Sequence, residues 1–291
     1  MFSLRTFLLC TAAVLFSGAC VADPTPDQAA KKMAAVHQHD EPVPAAAAAG
    51  PPVEGVLTQT IVYGHDGARS LEGFVAWPDA AEKAPPALIL IHEWWGLNDN
   101  IREMARKFAA EGYIALAVDL YDKQTAETSE QAEALMTKAL GNEAAIDSNL
   151  RQAYEFLKTS AQAPRVGSVG WCFGGGISLR AALLLPGKLD ATVMYYGFLV
   201  QDKDRLAKLD TPILGLFGEA DTSIPPADVE QFAKTLKSLD KSIDYHIYPG
   251  ANHAFANPSG TRYNPEAAAD AWKRTLAFLR EHLQGGQEGQ S

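Results

Sequence analysis

Ala87-Leu88-Ile89-Leu90-Ile91 is a run without a single polar side chain. A strand of that kind is buried on both faces, which places it inside a parallel sheet covered by helices on either side. Further strand-forming runs recur downstream at 113–118, 165–170, 191–196, 213–217 and 243–248. Between them lie segments with helical periodicity at 100–111, 129–140, 144–159, 174–185, 226–239 and 265–283. Ahead of the central run, 57–63 and 71–77 alternate polar and apolar residues around the turn at 64–67, as an antiparallel pair does. Alternating strands and helices connect by right-handed crossovers, so the expectation is an α/β fold with a mostly parallel eight-stranded sheet and helices on both faces.

The ends of the chain read differently. Residues 1–22 resemble a secretory signal peptide, with Arg5 as the basic start, an apolar stretch over 7–16 and small residues through Ala22. That stretch is too short to span a bilayer, so the expectation is export to a bacterial periplasm. Two maturation routes are open. Cleavage after Ala22 gives a soluble protein, whereas Ser17-Gly18-Ala19-Cys20 resembles a lipobox that would leave a lipid anchor on Cys20. Residues 23–54 are rich in alanine and proline and read as a flexible tether, with His37 and His39 as solvated tail residues. One catalytic domain spans 55–284, and 285–291 form a disordered tail.

Of the three cysteines, Cys10 lies in the leader and Cys20 is removed or acylated, so Cys172 has no disulfide partner in the mature chain. A lone thiol in an oxidising compartment is either deeply buried or used. Its neighbours point to use. Gly170-Trp171-Cys172-Phe173-Gly174-Gly175 stands between an apolar strand and a small-residue helix. Glycines two residues either side allow the tight strand-to-helix turn that lifts a nucleophile above the sheet edge. The helix N-terminus behind the sulfur is expected to favour the thiolate.

Such an elbow needs an acid and then a histidine, each in a loop after a strand. Asp221 follows the run at 213–217 and His253 follows the run at 243–248, with Glu219 as a rival acid. His253 would act as base and Asp221 would orient it. His92-Glu93-Trp94-Trp95-Gly96 ends the central strand, where the backbone N–H of Trp94 joins that of Phe173 as an oxyanion hole.

These segments, together with Asp119-Leu120-Tyr121 and Pro249-Gly250-Ala251-Asn252-His253-Ala254-Phe255, resemble the dienelactone hydrolase family of α/β-hydrolases over about residues 57–283. The resemblance implies a Cys-His-Asp triad without a cofactor, acting on a small-molecule ester or lactone. It also implies that Glu93 contacts the resting thiol and takes part in forming the thiolate. The two arginines with which the family binds a substrate carboxylate are absent: Asp122-Lys123 stands at one place and Asn257 at the other. Lys123 offers only a point charge, so true dienelactone activity is not implied. Trp95, Lys123, Tyr196 and Asn257 are the candidate substrate contacts, and Trp94, Trp171, Tyr195 and Phe198 extend the aromatic set.

Two other readings compete with an esterase. A thiol redox protein would want a resolving cysteine, and a non-catalytic ligand-binding domain would tolerate loss of a triad member. The sequence supplies neither feature. A formal net charge of −10 argues against nucleic acid, and histidine spacing suggests no metal site.

Overall fold

The computed structural model describes residues 26–37, 53–81 and 83–285; the leader, Cys10, Cys20, His39 and the last six residues lie outside them. Strands β1 (Val56–Asp66) and β2 (Arg69–Pro78) form the antiparallel hairpin, irregular between Val62 and Gly64. The central runs form β3 (Ala87–Ile91), β4 (Ile114–Val118), β5 (Val166–Trp171), β6 (Ala191–Tyr195) and β7 (Ile213–Gly218), and every residue of these five strands is buried. The edge strand β8 (Ile243–Tyr248) is only partly covered. The sheet order is β1-β2-β4-β3-β5-β6-β7-β8, antiparallel from β1 to β4 and parallel from there on. This is the expected eight-stranded, mostly parallel α/β sheet.

The helices are α1 (Pro26–His37), α2 (Asp99–Ala110), α3 (Ser129–Leu140), α4 (Glu143–Thr159), α5 (Phe173–Leu184), the single turn α6 (Lys203–Leu206), α7 (Pro226–Ser238) and α8 (Pro265–Leu279). Local chemistry sets several starts: Asn98, Thr128, Asn142 and Asn264 each accept a backbone N–H from three residues on, which satisfies a first-turn donor. The helix expected over 265–283 changes to a π turn, Arg280–Gly285. Among the described residues, no helix is long and apolar enough to cross a membrane.

One expectation fails outright. Residues 26–37, read as flexible tether, form α1. Ala30, Met33, Ala34 and His37 recur at helical spacing, and Ala30 and Met33 join the main hydrophobic core. A twelve-residue helix is marginal by itself in water, so docking is what maintains it. His37, expected in solvent, is 2 % exposed.

Candidate active site

All the parallel strands point their C-terminal ends to one edge of the sheet, and the loops leaving β3, β5, β7 and β8 meet there. Cys172 stands between β5 and α5 with φ 56° and ψ −119°, a conformation a non-glycine residue holds only when its surroundings over-determine it. The glycines explain how. A Cβ on Gly170 would lie 1.9 Å from the Gly174 carbonyl oxygen, and one on Gly174 would lie 2.2 Å from that of Ile91. The elbow therefore packs backbone on backbone against the end of β3.

In the loops after β7 and β8, Asp221 Oδ2 lies 2.7 Å from His253 Nδ1, both side chains fully buried. The other carboxylate oxygen, Oδ1, accepts from the Ser223 hydroxyl at 2.5 Å and from the backbone N–H groups of Ser223 and Ile224 at 2.8 and 3.1 Å. Burial pushes the Asp221 carboxyl up, but His253 and these donors hold it below the usual carboxylate range. Ser223 had not been singled out in the sequence; the Asp-x-Ser spacing that lets a hydroxyl cap its own aspartate was the available signal. Glu219, the rival acid, instead accepts from the backbone N–H of Gly250 at 2.9 Å. The structure thus brings Asp221 to the imidazole and turns Glu219 away.

The third loop is organised by His92. Its Nε2 accepts the Leu120 N–H at 3.2 Å, so Nδ1 carries the proton and donates it to the Glu93 carbonyl at 2.6 Å. Complete burial lowers the His92 pKa, which keeps the ring neutral and the tautomer fixed. Holding the Glu93 carbonyl fixes the plane of the next peptide, whose N–H belongs to Trp94. The N–H groups of Trp94 and Phe173 face the Cys172 sulfur and favour its thiolate. Burial and the Glu93 carboxylate nevertheless outweigh them and push the thiol pKa well above its ordinary value. The expected depression by the helix N-terminus is overturned, because a fully enclosed sulfur beside a carboxylate loses more than two N–H groups return.

Asn257, proposed from sequence as a substrate contact, donates its amide to Glu93 Oε2 at 2.5 Å and accepts the Ser259 N–H at 2.9 Å. Lys123 is turned to Glu72, 2.5 Å away on β2, and lines a separate cavity of about 400 Å³ whose wall does not include Cys172. These two residues are therefore engaged elsewhere. The Tyr196 ring lies 5.0 Å from that of His253, and Trp95 stacks edge-on against Trp94 at 5.0 Å. Trp171 packs under the sheet edge against Tyr195, whose hydroxyl bonds Thr275 at 2.6 Å.

Nothing in the sequence foretold the last members of the site. The Cys172 thiol donates to Met33 Sδ at 3.5 Å, and its sulfur lies 3.8 Å from His37 Nε2. His37 Nδ1 is 2.9 Å from an Arg262 nitrogen, and arginine can only donate. Nδ1 therefore accepts, and the proton on Nε2 faces the sulfur. His37, Cys172 and His253 present donor atoms within 4.8 Å of one another, a grouping with the composition of a metal site. The Arg262 contact opposes that use, since a metal on Nε2 would shift the ring proton to Nδ1, against the guanidinium.

Fold and elbow together define an α/β-hydrolase with cysteine at the strand-to-helix turn. The dienelactone hydrolase family profile matches residues 71–283, and the chain belongs to that family, which makes it an ester or lactone hydrolase. It is 34 % identical over 263 residues to a Saccharolobus solfataricus protein assigned as a carboxymethylenebutenolidase, covering 77 % of this chain and 98 % of the relative. It is 32 % identical to Protein usf of Aquifex pyrophilus, covering 78 % of this chain and all of that protein. A Klebsiella pneumoniae structure assigned as a dienelactone hydrolase superposes with a TM-score of 0.69 at 28 % identity, over 78 % of this chain and 99 % of that one.

Proposed function

We propose that the protein hydrolyses a carboxylic ester through an acyl-cysteine intermediate, with Cys172 as nucleophile, His253 as general base and acid, and Asp221 as its orienter. The observation that carries this reading is the 2.7 Å bond between Asp221 and His253 Nδ1. It leaves Nε2, which is buried and has no hydrogen-bond partner among the described residues, as the nitrogen for the thiol.

At rest the sulfur sits against the Trp94 and Phe173 N–H groups. A substrate carbonyl oxygen replaces it there, and the thiol rotates toward His253. The S–H proton passes to Nε2, an S–C bond forms at the acyl carbon, and negative charge collects on the oxygen held by the two N–H groups. The C–O bond then breaks as the leaving alkoxide takes the proton from His253. Water attacks the thioester with His253 again as base, releasing the carboxylic acid and restoring the thiol. Glu93 keeps the idle thiol protonated, which suits a lone cysteine in an exported protein.

With Lys123 paired to Glu72 and Asn257 to Glu93, the reading favours an uncharged acyl group seated near Trp94 and Tyr196 over a dienelactone carboxylate. The leader sequence supports export to the periplasm, soluble or anchored through Cys20.

The test uses wild type and Cys172→Ala against p-nitrophenyl esters, aryl acetates and a dienelactone, with mass spectrometry for the acyl adduct. Hydrolysis by wild type alone, with acyl-Cys172, supports the reading. Equal measurable rates in both proteins refute it.

A further inference from the structure

Attack on an ester requires its carbonyl carbon to come within about 3.5 Å of the nucleophile. On the substrate side of Cys172 that space is already filled. Met33 Sδ is 3.5 Å from the sulfur and His37 Nε2 is 3.8 Å from it. The His37 ring also lies 4.6 Å from that of Trp94 and 4.8 Å from that of His253, so it covers the base as well as the nucleophile. Cys172 is 1 % exposed and His253 is 0 % exposed.

Both covering residues belong to α1, which precedes the family match at residue 71. The relatives from Saccharolobus and Aquifex are matched over 98 and 100 % of their lengths by 77 and 78 % of this chain. Relatives of that length therefore do without about a fifth of it.

The helix is held by contacts suited to reversible docking. Ser129 Oγ donates to the His37 carbonyl at 2.8 Å, Arg262 donates to the His37 ring, and Ala30 and Met33 bury one apolar face. Lys31 and Lys32, on the other side, are exposed.

We propose that α1 is an internal inhibitor seated in the acyl-binding pocket, so that the intact chain is a latent form that turns over only when α1 leaves. The occupant describes the pocket: a thioether and an imidazole against the sulfur define a space for a compact apolar or aromatic acyl group. This inference rests on the proposed esterase reading for its activity arm and on geometry alone for its access arm.

The experiment compares wild type with the full-length double variant Ala30→Asp, Met33→Asp, which places two carboxylates in the docked face. If α1 is docked in at least nine-tenths of molecules, expelling it raises kcat/KM for p-nitrophenyl acetate about tenfold or more, because apparent activity scales with the open fraction. Alkylation of Cys172 by iodoacetamide rises in parallel. A peptide of residues 26–37 added to the double variant restores both low rates, and the same peptide with Met33→Asp does not; this arm stands even if the double variant is less stable. Unchanged hydrolysis and alkylation in the double variant overturn the proposal, as does a fall in hydrolysis with normal alkylation, which would make α1 part of the working pocket. Faster alkylation without hydrolysis of any ester keeps the latch and refutes the esterase reading.

Discussion

Asn257 donates its side-chain amide to Glu93 Oε2 at 2.5 Å, tying the loop after β8 to the loop after β3 and fixing a carboxylate close to Cys172. The negative charge raises the thiol pKa, so Glu93→Gln removes one cause of the shift. The midpoint of the pH profile for Cys172 alkylation is expected to move down, and each unit of movement raises the thiolate fraction at neutral pH about tenfold. Both proteins carry α1, so its effect on the midpoint is common to the two. A midpoint that stays or rises contradicts the role given to Glu93.

Asp221→Asn keeps the shape of the acid but lets the amide select the wrong imidazole tautomer. By analogy with serine triads, kcat is expected to fall by about 10⁴-fold, read from ester hydrolysis with KM little changed. The wild-type bond also makes stability depend on pH. The native carboxyl titrates below its unfolded value of about 3.9, so its contribution is complete above that pH and is lost as pH falls through the native value. Denaturant melts from pH 6 downward should show wild type losing more stability than Asp221→Asn. Parallel losses would mean that the bond contributes nothing.

His92 is a positioning residue in this scheme. His92→Ala leaves the Glu93 carbonyl and the Leu120 N–H without their partner, at a cost of roughly 1–3 kcal/mol each. If it also frees the Trp94 peptide, kcat drops by about 10²–10³, as for a lost oxyanion donor, while KM holds. Loss of stability at full kcat would reduce His92 to packing.

Much of this was legible in the residues, for reasons that differ. The buried strands announced themselves because a strand covered on both faces is almost wholly apolar, Ser168 and Thr192 being accommodated by bonding to each other, and Gly170 and Gly174 because only glycine fits two backbones in contact. The order of Cys172, Asp221 and His253 was readable, but the choice of Asp221 over Glu219 depended on loop geometry. The thiol was misread because the helix N-terminus is visible in sequence, whereas burial and the Glu93 charge are properties of the assembled site. Least legible was α1. Its contacts to Cys172 and Arg262 span 135 and 225 residues, and an alanine-rich stretch among prolines carries little to distinguish a docked helix from a tether.

Gly174 gives the sharpest test of the elbow itself. A methyl group there would meet the Ile91 carbonyl oxygen at 2.2 Å and that of His92 at 2.5 Å, both main-chain atoms that cannot swing aside. Gly174→Ala must separate α5 from the end of β3, which moves the Phe173 N–H away from the Trp94 N–H. Overpacking of this kind costs roughly 1–3 kcal/mol, and a displaced oxyanion donor costs about a further 10²-fold in kcat. Gly187→Ala is the control. An alanine there is strained by the positive φ of 68°, but its added Cβ meets nothing within 4 Å. The expected result is a modest loss of stability at full kcat for Gly187→Ala and a combined loss for Gly174→Ala, measured by thermal melting and ester hydrolysis. Matching behaviour in the two variants would show that the close approach of β3 and α5 does not hold the catalytic groups in place.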